Sequence, residues 1–479
     1  MGYKYIKRDL FDSISEHLDK DEITFITGPR QVGKTILLNQ LEEELVRKGV
    51  LKQHILRFDL DQLSDRAFFK SQTEFIALLK GKLSGSRLYV FVDEAQRATD
   101  PGIFFKGIYD LNLPIKFVLT GSSTLEFRAK TFESLTGRKR IFSVYPFSFH
   151  EYLRAKAEHL IPALWKLDAL RFEQQALLTH LEDFLIFGGY PRVVLEKNVE
   201  ERKKLLEELF NSYVDKDVVG FSNVKNSWAF TNCVRLLAHQ VGQLVNENNI
   251  AQETQVKVLT LRRYLSILEN TFVIYRLRPY FTNRRKELTK TPKIYLIDNG
   301  LLNWALKNFQ SWGERFDKGL LLENWVVTEF LKRGDFELKY WRTLQKTEVD
   351  FVVSEKFDQR WIPLEVKSTM MERPEISKSF RAFLNQYHPE EGYILNWGYS
   401  GDKKEDETLL HWRLPFRLRT FKKEGQEAPC PHCGELINVN KATEPGRHVP
   451  YGIDCPSCHG KLRFIGLPSG GARLEKYEP

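Results

Sequence analysis

The stretch that decides the fold runs Gly28-Pro29-Arg30-Gln31-Val32-Gly33-Lys34-Thr35. It fits the pattern Gly-x4-Gly-Lys-Thr of a phosphate-binding loop (P-loop), whose backbone N–H groups surround a phosphate at a helix N-terminus. The apolar, β-branched segment 22–27 before it predicts a buried strand, and the apolar spacing of 36–46 predicts a helix. In this context Lys34 is expected to reach the β- and γ-phosphates of ATP, and Thr35 is expected to bind Mg²⁺.

Two further apolar strands end in polar residues. Segment 88–92 leads into Asp93 and Glu94, a Walker B arrangement in which Asp93 holds the Mg²⁺ shell and Glu94 polarises the attacking water. Segment 115–120 leads into Gly121-Ser122-Ser123, where the hydroxyl of Ser122 is expected to orient water against the γ-phosphate. Because residues 1–150 alternate strand and helix signals, they predict a doubly wound α/β ATPase core with a mostly parallel sheet.

Length and charge restrict the class of protein. At 479 residues the chain is too long for one core, and the length predicts about three to four domains. The net charge of +9 favours an anionic partner, with nucleic acid first and a membrane surface second. The sequence has neither an apolar run of about 18 residues nor a recognisable signal peptide, so we expect a cytoplasmic protein without a membrane partner.

The pattern beyond residue 150 predicts four more units. Residues 151–225 are helical and interrupted by Gly188-Gly189-Tyr190-Pro191-Arg192, which suggests a helical lid. Residues 226–299 show three short helices and an apolar strand pair, the order of a winged helix. Residues 300–425 return to mixed α/β, and residues 426–479 are rich in Cys, Gly and Pro.

A set of acids and a lysine lies in the mixed α/β part. Glu323 falls on a predicted helix, Asp350 in a strand, and Glu365 and Lys367 on one face of the next strand. This is the PD-(D/E)xK nuclease arrangement, in which Asp350 and Glu365 hold Mg²⁺ and Lys367 positions the nucleophile or stabilises the transition state. Alternating charges on a half-buried strand produce the same pattern, so a nuclease and a binding domain both stay open.

Basic residues are concentrated in the predicted wing, residues 276–293, with seven Lys and Arg against one acid. Mixed with aromatic side chains, they suit phosphate contact and base stacking. The expected DNA contacts are Arg262 and Arg263 on the recognition helix and Arg284, Arg285, Lys286 and Lys290 in the wing. The alternatives are a solvated charged hairpin and a surface that binds a protein partner.

The cysteines predict a metal site near the C-terminus. Four of the five form two CxxC pairs separated by 21 residues: Cys430, Cys433, Cys455 and Cys458. Two such pairs place four thiolates around a structural Zn²⁺, which indicates a zinc ribbon. The fifth, Cys233, is expected in the core.

Taken in order, these motifs resemble the bacterial and archaeal AAA-type ATPases that carry a C-terminal domain of uncharacterised function (the AAA_14 and DUF4143 group). The resemblance covers roughly residues 1–400. Besides the P-loop, it rests on Val-Asp-Glu-Ala-Gln at 92–96, Leu-Thr-Gly-Ser-Ser at 119–123, Leu-Thr-Gly-Arg at 135–138, Tyr-Pro-Phe-Ser-Phe-His-Glu at 145–151, Gly-Gly-Tyr-Pro at 188–191, Asp-Asn-Gly-Leu at 298–301, Glu-Asn at 323–324, Tyr-Trp-Arg at 340–342, Glu-Val-Asp-Phe at 348–351 and Glu-Val-Lys at 365–367.

The resemblance implies two more ATPase residues. Arg138 corresponds to an arginine finger that completes a neighbour's site, and Arg192 to a sensor-2 arginine at the start of a lid helix. A planar, permanently charged guanidinium suits both roles, although a surface salt bridge is the alternative for each. A finger acting in trans implies a homo-oligomer, with a hexamer as one candidate size.

The sequence therefore predicts a P-loop AAA+ core with helical lid, winged helix, PD-(D/E)xK nuclease-like α/β domain and zinc ribbon. The expected cofactors are ATP, Mg²⁺ and Zn²⁺. The expected function is ATP-driven work on DNA in repair, recombination or defence. The alternative is a nucleotide-switched scaffold that binds a protein partner.

Overall fold

The structure is a computed structural model that describes residues 5–83, 85–122, 135–165, 169–213, 226–280, 291–356 and 360–420, together with five short strands between residues 427 and 476.

A five-stranded parallel sheet forms the N-terminal core. Its strands lie in the order β2-β3-β4-β1-β5, so β4 separates the strand of the P-loop from the strand that ends in Asp93. Because helices cover both faces, β1 and β3 are buried at every position, as their apolar runs predicted. The elements are β1 (Ile23–Gly28), β2 (Ile55–Asp59), β3 (Leu88–Asp93), β4 (Ile115–Ser122) and β5 (Lys139–Ser143), with α1 (Phe11–His17), α2 (Lys34–Arg47), α3 (Leu63–Phe68), α4 (Gln72–Lys82) and α5 (Pro101–Tyr109).

A helical part follows the sheet: α6 (Phe149–Lys156), α7 (Arg171–Phe187), α8 (Pro191–Leu195) and α9 (Val199–Tyr213). A capping box of Ser148 and Glu151 begins α6. The glycines after α7 are required by packing, because a Cβ on Gly189 would lie 2.3 Å from the Phe147 carbonyl oxygen.

Three helices and an antiparallel strand pair come next, in the order that the sequence predicted. They are α10 (Ser227–His239), α11 (Glu247–Glu253), α12 (Val258–Asn270), β6 (Ile274–Leu277) and β7 (Lys293–Leu296). A further helix, α13 (Asn299–Leu306), packs against α7 and α10. Cys233 is fully buried on α10, as expected.

A six-stranded mixed sheet carries the second set of candidate residues, in the order β12-β13-β11-β10-β9-β8. Its elements are α14 (Lys318–Arg333), β8 (Phe336–Arg342), β9 (Glu348–Glu355), β10 (Ile362–Val366), α15 (Lys378–Tyr387), β11 (Glu391–Leu395), β12 (Gly401–Glu405) and β13 (Thr408–Arg413). Beyond it lie β14 (Glu427–Pro429), β15 (Leu436–Asn438), β16 (Ile453–Asp454), β17 (Lys461–Gly466) and β18 (Ala472–Lys476).

One cluster of buried apolar side chains runs from Ile14 to Leu418 and takes members from the parallel sheet, the helical part, α10–α13 and the six-stranded sheet. The predicted boundaries near residues 225 and 299 therefore do not separate hydrophobic cores. Among the described residues, no helix is both long and apolar enough to cross a membrane.

Candidate functional site

The strand register gathers the predicted nucleotide residues at the carboxyl edge of the parallel sheet. Gly28 pairs with Ser122, and Asp59 pairs with Asp93. The pairing of Val92 with Leu119 puts Asp93 beside Thr120. The P-loop, the Walker B aspartate and the end of β4 therefore meet at one edge, where open α/β sheets bind ligands.

The P-loop has the backbone that a phosphate requires. Gly33 adopts φ 92° and precedes α2, and a Cβ on Gly28 would lie 2.0 Å from the Val144 carbonyl oxygen. The buried Lys34 ammonium donates to the carbonyl oxygens of Gly28 (3.0 Å) and Pro29 (2.8 Å). This lysine, a glycine-rich helix N-terminus and the exposed Thr35 are a donor set that fits MgATP.

Asp93 is held by three neighbours. Its Oδ1 accepts the Thr120 hydroxyl and, at 3.2 Å, the Glu94 backbone N–H, while its Oδ2 accepts Nη2 of Arg57 at 3.2 Å. Sequence reasoning missed Thr120 and Arg57. The sequence contains a signal for Thr120, which is a polar residue at the end of an apolar strand. The contact of Arg57 with Asp93 can be recognised only after β2 has been aligned with β3.

Glu94 adopts a left-handed backbone, φ 52°, directly after β3. Its carboxylate accepts a hydrogen bond from the side-chain amide of Gln96. A non-glycine residue in this region is uncommon and marks local strain, which is concentrated at functional sites.

The two predicted arginines lie at opposite edges of the sheet. Arg192 lies in the first turn of α8 and donates from Nη1 to Gln31 of the P-loop at 3.4 Å. Arg138 precedes β5, where its carbonyl accepts the N–H of Ile23 at 2.9 Å, and its guanidinium pairs with Asp110 at 2.7 Å. Because β1 and β5 are parallel, Arg138 is remote from the P-loop of its own chain.

Arg8 is a further residue that sequence reasoning missed. From the segment before α1, it donates to the carbonyl oxygens of Val32 (2.7 Å) and Tyr145 (2.6 Å) and to the carboxylate of Glu151 (2.9 Å). It thereby ties the P-loop to the segment that starts the helical part. A single charged residue upstream of a strand offers no signal of such a role.

The second set of candidate residues also comes together, in what we call the acidic centre: Glu323, Asp350, Glu365 and Lys367. The pairing of Leu364 with Phe351 puts Asp350 opposite Glu365. Asp350 Oδ2 accepts the N–H of Val366 at 2.8 Å. Lys367, one residue past β10, places Nζ 2.7 Å from Oε1 of Glu365, and α14 contributes Glu323.

Burial and mutual repulsion dominate the electrostatics of the acidic centre. Burial and then the charge of Asp350 raise the pKa of Glu323 well above the carboxyl range. Burial, together with Glu365, raises the pKa of Asp350. Burial opposes the charge of Lys367, but its bond to Glu365 outweighs this and raises the lysine pKa. A cation beside these carboxylates would stabilise their charged forms.

The side chains of the centre are also bonded to other parts of the chain. Oε2 of Glu365 accepts the Ser377 hydroxyl at 3.1 Å, and Tyr295 donates to Glu323 at 3.5 Å. A Cβ on Gly242 would lie 3.0 Å from Oε2 of Glu323. In the described part of the chain, no group of three or more His, Cys, Asp and Glu is arranged to hold a metal ion.

The predicted DNA contacts are only partly described. Arg262 is exposed on α12 and pairs with Glu247 at 2.7 Å; Arg263 lies beside it on the same helix. Counting Lys293 in the basic wing was wrong, because its side chain is buried and pairs with Glu348. The other expected sites lie outside the described residues: Arg284, Arg285, Lys286 and Lys290, and the zinc ligands Cys430, Cys433, Cys455 and Cys458.

Three protein-family models match parts of this chain. Residues 20–153 match the family model described as an AAA domain. This part of the chain is therefore similar to AAA-type ATPase domains. The AAA domain implies ATP and Mg²⁺, which its P-loop residues fit. Residues 178–311 and 318–416 match two further models, each described as a domain of unknown function (DUF8612 and DUF4143). The first of these spans both predicted boundaries at 225 and 299.

Relatives extend over most of the chain. An uncharacterized protein of Haemophilus influenzae is 27% identical over 361 residues, covering 72% of this chain and 83% of the relative. An uncharacterized protein of Mycobacterium tuberculosis is 26% identical over 388 residues, with 79% and 77% covered. A Walker-type ATPase of Pyrococcus abyssi superposes with a TM-score of 0.40 at 16% identity, over 63% of this chain and 96% of its own.

Proposed function

We propose that the chain hydrolyses ATP and uses the cycle to work on DNA. The observation that carries the ATPase half is the convergence of Lys34, Asp93 and Thr120 at one sheet edge, with Arg192 of the lid beside the P-loop. Phosphoryl transfer needs positioning and charge neutralisation more than covalent chemistry, and these groups supply both.

Each residue has a role in that reaction. The loop 28–35 cradles the phosphates, and Lys34 neutralises the β- and γ-oxygens. Thr35 and Asp93 would hold Mg²⁺, which supplies charge neutralisation at the phosphates when bound. Glu94 orients and deprotonates the attacking water, assisted by Ser122, and Arg192 senses the γ-phosphate from the lid. Arg138, at the opposite edge, acts in the site of a neighbouring subunit in a homo-oligomer.

A buried polar path supports coupling between the nucleotide site and the acidic centre. Gly189, three residues before Arg192, donates its N–H to the buried Asp298 at 2.7 Å. Next to it, Asn299 bonds to Asn324 at 2.8 Å, and Asn324 adjoins Glu323 on α14. A buried hydrogen-bond network of this kind holds its members in one arrangement relative to each other. A movement of the lid would therefore move α14 with it.

The DNA half of the proposal rests on the acidic centre and on charge. Glu323, Asp350, Glu365 and Lys367 have the residue types and proximity of a nuclease-like site, and the net charge of +9 suits a polyanion. The exposed Arg262 and Arg263 are proposed DNA contacts. The expected wing contacts between residues 284 and 290 and the four cysteines of the zinc ribbon, which lie outside the described residues, are proposed to contribute to DNA binding as well. The processes that suit this activity are DNA repair, recombination and defence.

A nucleotide-switched scaffold is the second candidate, and one observation favours it. Both oxygens of Glu365 are bonded within the chain, and the backbone at Gly242 lies close to Glu323. A centre whose carboxylates are bonded internally in this way suits a nuclease-like domain that binds a protein partner without cutting.

Two assays on the full chain separate these functions. Phosphate release in Mg²⁺ is expected for the native chain and lost in Lys34→Ala and Glu94→Gln; equal rates in all three would overturn the ATPase assignment. Cleavage of single-stranded, duplex and four-way DNA in Mn²⁺ is then compared between the native chain and Asp350→Asn. Cutting lost in Asp350→Asn supports the nuclease, whereas no cutting of any substrate would leave this part of the chain as a binding domain.

A further inference from the structure

Arg57 occupies an unusual position for a cation, inside the nucleotide site of the AAA domain. Its side chain, 26% exposed, extends from β2 to Asp93 on the adjacent strand β3. Nη2 lies 3.2 Å from Oδ2 of Asp93, and Nη1 lies 2.6 Å from Oε1 of Glu42 on α2. One guanidinium is therefore shared between the Walker B carboxylate and the helix that the P-loop begins.

The two oxygens of Asp93 are not equivalent. Oδ1 already accepts the Thr120 hydroxyl and the Glu94 N–H. Oδ2 is the oxygen that remains for a cation and its water shell, and it is the one that Arg57 contacts. A guanidinium and a divalent cation compete for one carboxylate oxygen, because each lowers the negative potential that attracts the other.

We propose that Arg57 is a positioning residue that sets the Mg²⁺ concentration at which the nucleotide site is completed. Without Mg²⁺ it neutralises Asp93 and fixes its rotamer. With Mg²⁺ bound, Arg57 would release Asp93 and keep its bond to Glu42, whose Oε1 already lies 2.6 Å from Nη1. Glu42 thus weakens the interaction of Arg57 with Asp93. Arg57 and Glu42 together set the Mg²⁺ concentration that the nucleotide site requires. The inference rests on the nucleotide site alone and is independent of any action on DNA.

The test is a Mg²⁺ titration of nucleotide binding by the full chain. The probe is the fluorescent N-methylanthraniloyl derivative of non-hydrolysable AMPPNP, bound in EDTA and over a range of MgCl₂. Arg57→Gln is expected to lower the half-saturating Mg²⁺ concentration about threefold to tenfold, the effect of removing one partly screened charge beside a carboxylate. Glu42→Gln is expected to raise it, and the double variant is expected to behave like Arg57→Gln.

Controls separate this role from a structural one. Arg57→Lys keeps the charge and should stay near the native value, and nucleotide affinity in EDTA is measured for each variant so that a general loss of binding is told apart from a changed Mg²⁺ requirement. Arg47→Gln removes an exposed ion pair with Glu44 on the same helix and should change nothing. A Mg²⁺ requirement unchanged or raised in Arg57→Gln overturns the proposal. If that variant does not fold, an unchanged or lowered requirement in Glu42→Gln overturns it instead. Failure of the native chain to bind the probe would instead refute the nucleotide site.

Discussion

Thr120 links the ends of two strands through one hydroxyl, which donates to Asp93 and accepts the Glu94 N–H at 3.1 Å. Thr120→Val keeps the shape and removes both bonds. We expect a loss of about 1–2 kcal/mol of unfolding free energy, because a buried acceptor loses its donor. ATP turnover should fall about tenfold, because the carboxylate is no longer oriented.

Urea unfolding and phosphate release measure the two effects, and Thr120→Ser, which keeps the hydroxyl, is the matched control. Native turnover in Thr120→Val would show that the hydroxyl does not orient Asp93.

Glu323 makes stability depend on pH. Burial raises its pKa, so the folded chain keeps a proton that the unfolded chain releases, and stability falls as the pH rises through this window. Glu323→Gln mimics the protonated form. The free energy of unfolding of Glu323→Gln, relative to that of the native chain, should therefore rise between about pH 5 and about pH 8, by on the order of 1–2 kcal/mol.

Urea unfolding at the two pH values checks this prediction. Glu337→Gln, which changes an exposed carboxylate on β8, should show no such growth. An advantage of Glu323→Gln that is the same at both pH values would contradict the electrostatic account of the acidic centre.

The connection between α7 and α8 is the element on which the coupling path depends. Gly188 has φ 73°, and a Cβ there would lie 2.2 Å from Oδ1 of Asp298. Gly188→Ala should therefore lower the free energy of unfolding by about 3 kcal/mol or more, because the backbone strain and the clash with Asp298 act together. Gly49→Ala is the matched control: it has φ 93° with no atom within 4 Å, and it should cost only about 1 kcal/mol.

Chemical denaturation of both alanine variants measures the difference. Equal losses would mean that the space around Asp298 can relax and that the path is not rigid.

Local patterns were enough to predict some elements and could not predict others. The α/β core is confirmed, because the P-loop and the apolar runs of β1, β3 and β4 are continuous in sequence. Arg8, Arg57 and Lys293 were missed or misread, because their roles depend on partners 15 to 143 positions away, such as Glu42, Asp93 and Glu151. The residues of the acidic centre were predictable, but their contacts with Gly242 and Tyr295 were not.

At the scale of the whole molecule, one continuous core joins the AAA domain to the six-stranded sheet. Helix α14 shows how: Glu329 accepts the N–H of Phe149 at 3.1 Å, Lys332 bonds to the Phe147 carbonyl at 2.9 Å, and Glu323 lies on the same helix. A nucleotide-driven movement of the helical part is therefore expected to reach the acidic centre through packed elements rather than through a flexible linker.

The rate of ATP hydrolysis with and without DNA tests the central claim most directly. Phosphate release by the full chain is followed in Mg²⁺ alone and with single-stranded, duplex or four-way DNA, with Lys34→Ala as the blank. The account predicts turnover that at least one DNA form stimulates several-fold and that rising salt suppresses, because phosphate contacts release counterions. Turnover that no DNA form changes would contradict an ATPase that works on DNA and would favour the nucleotide-switched scaffold.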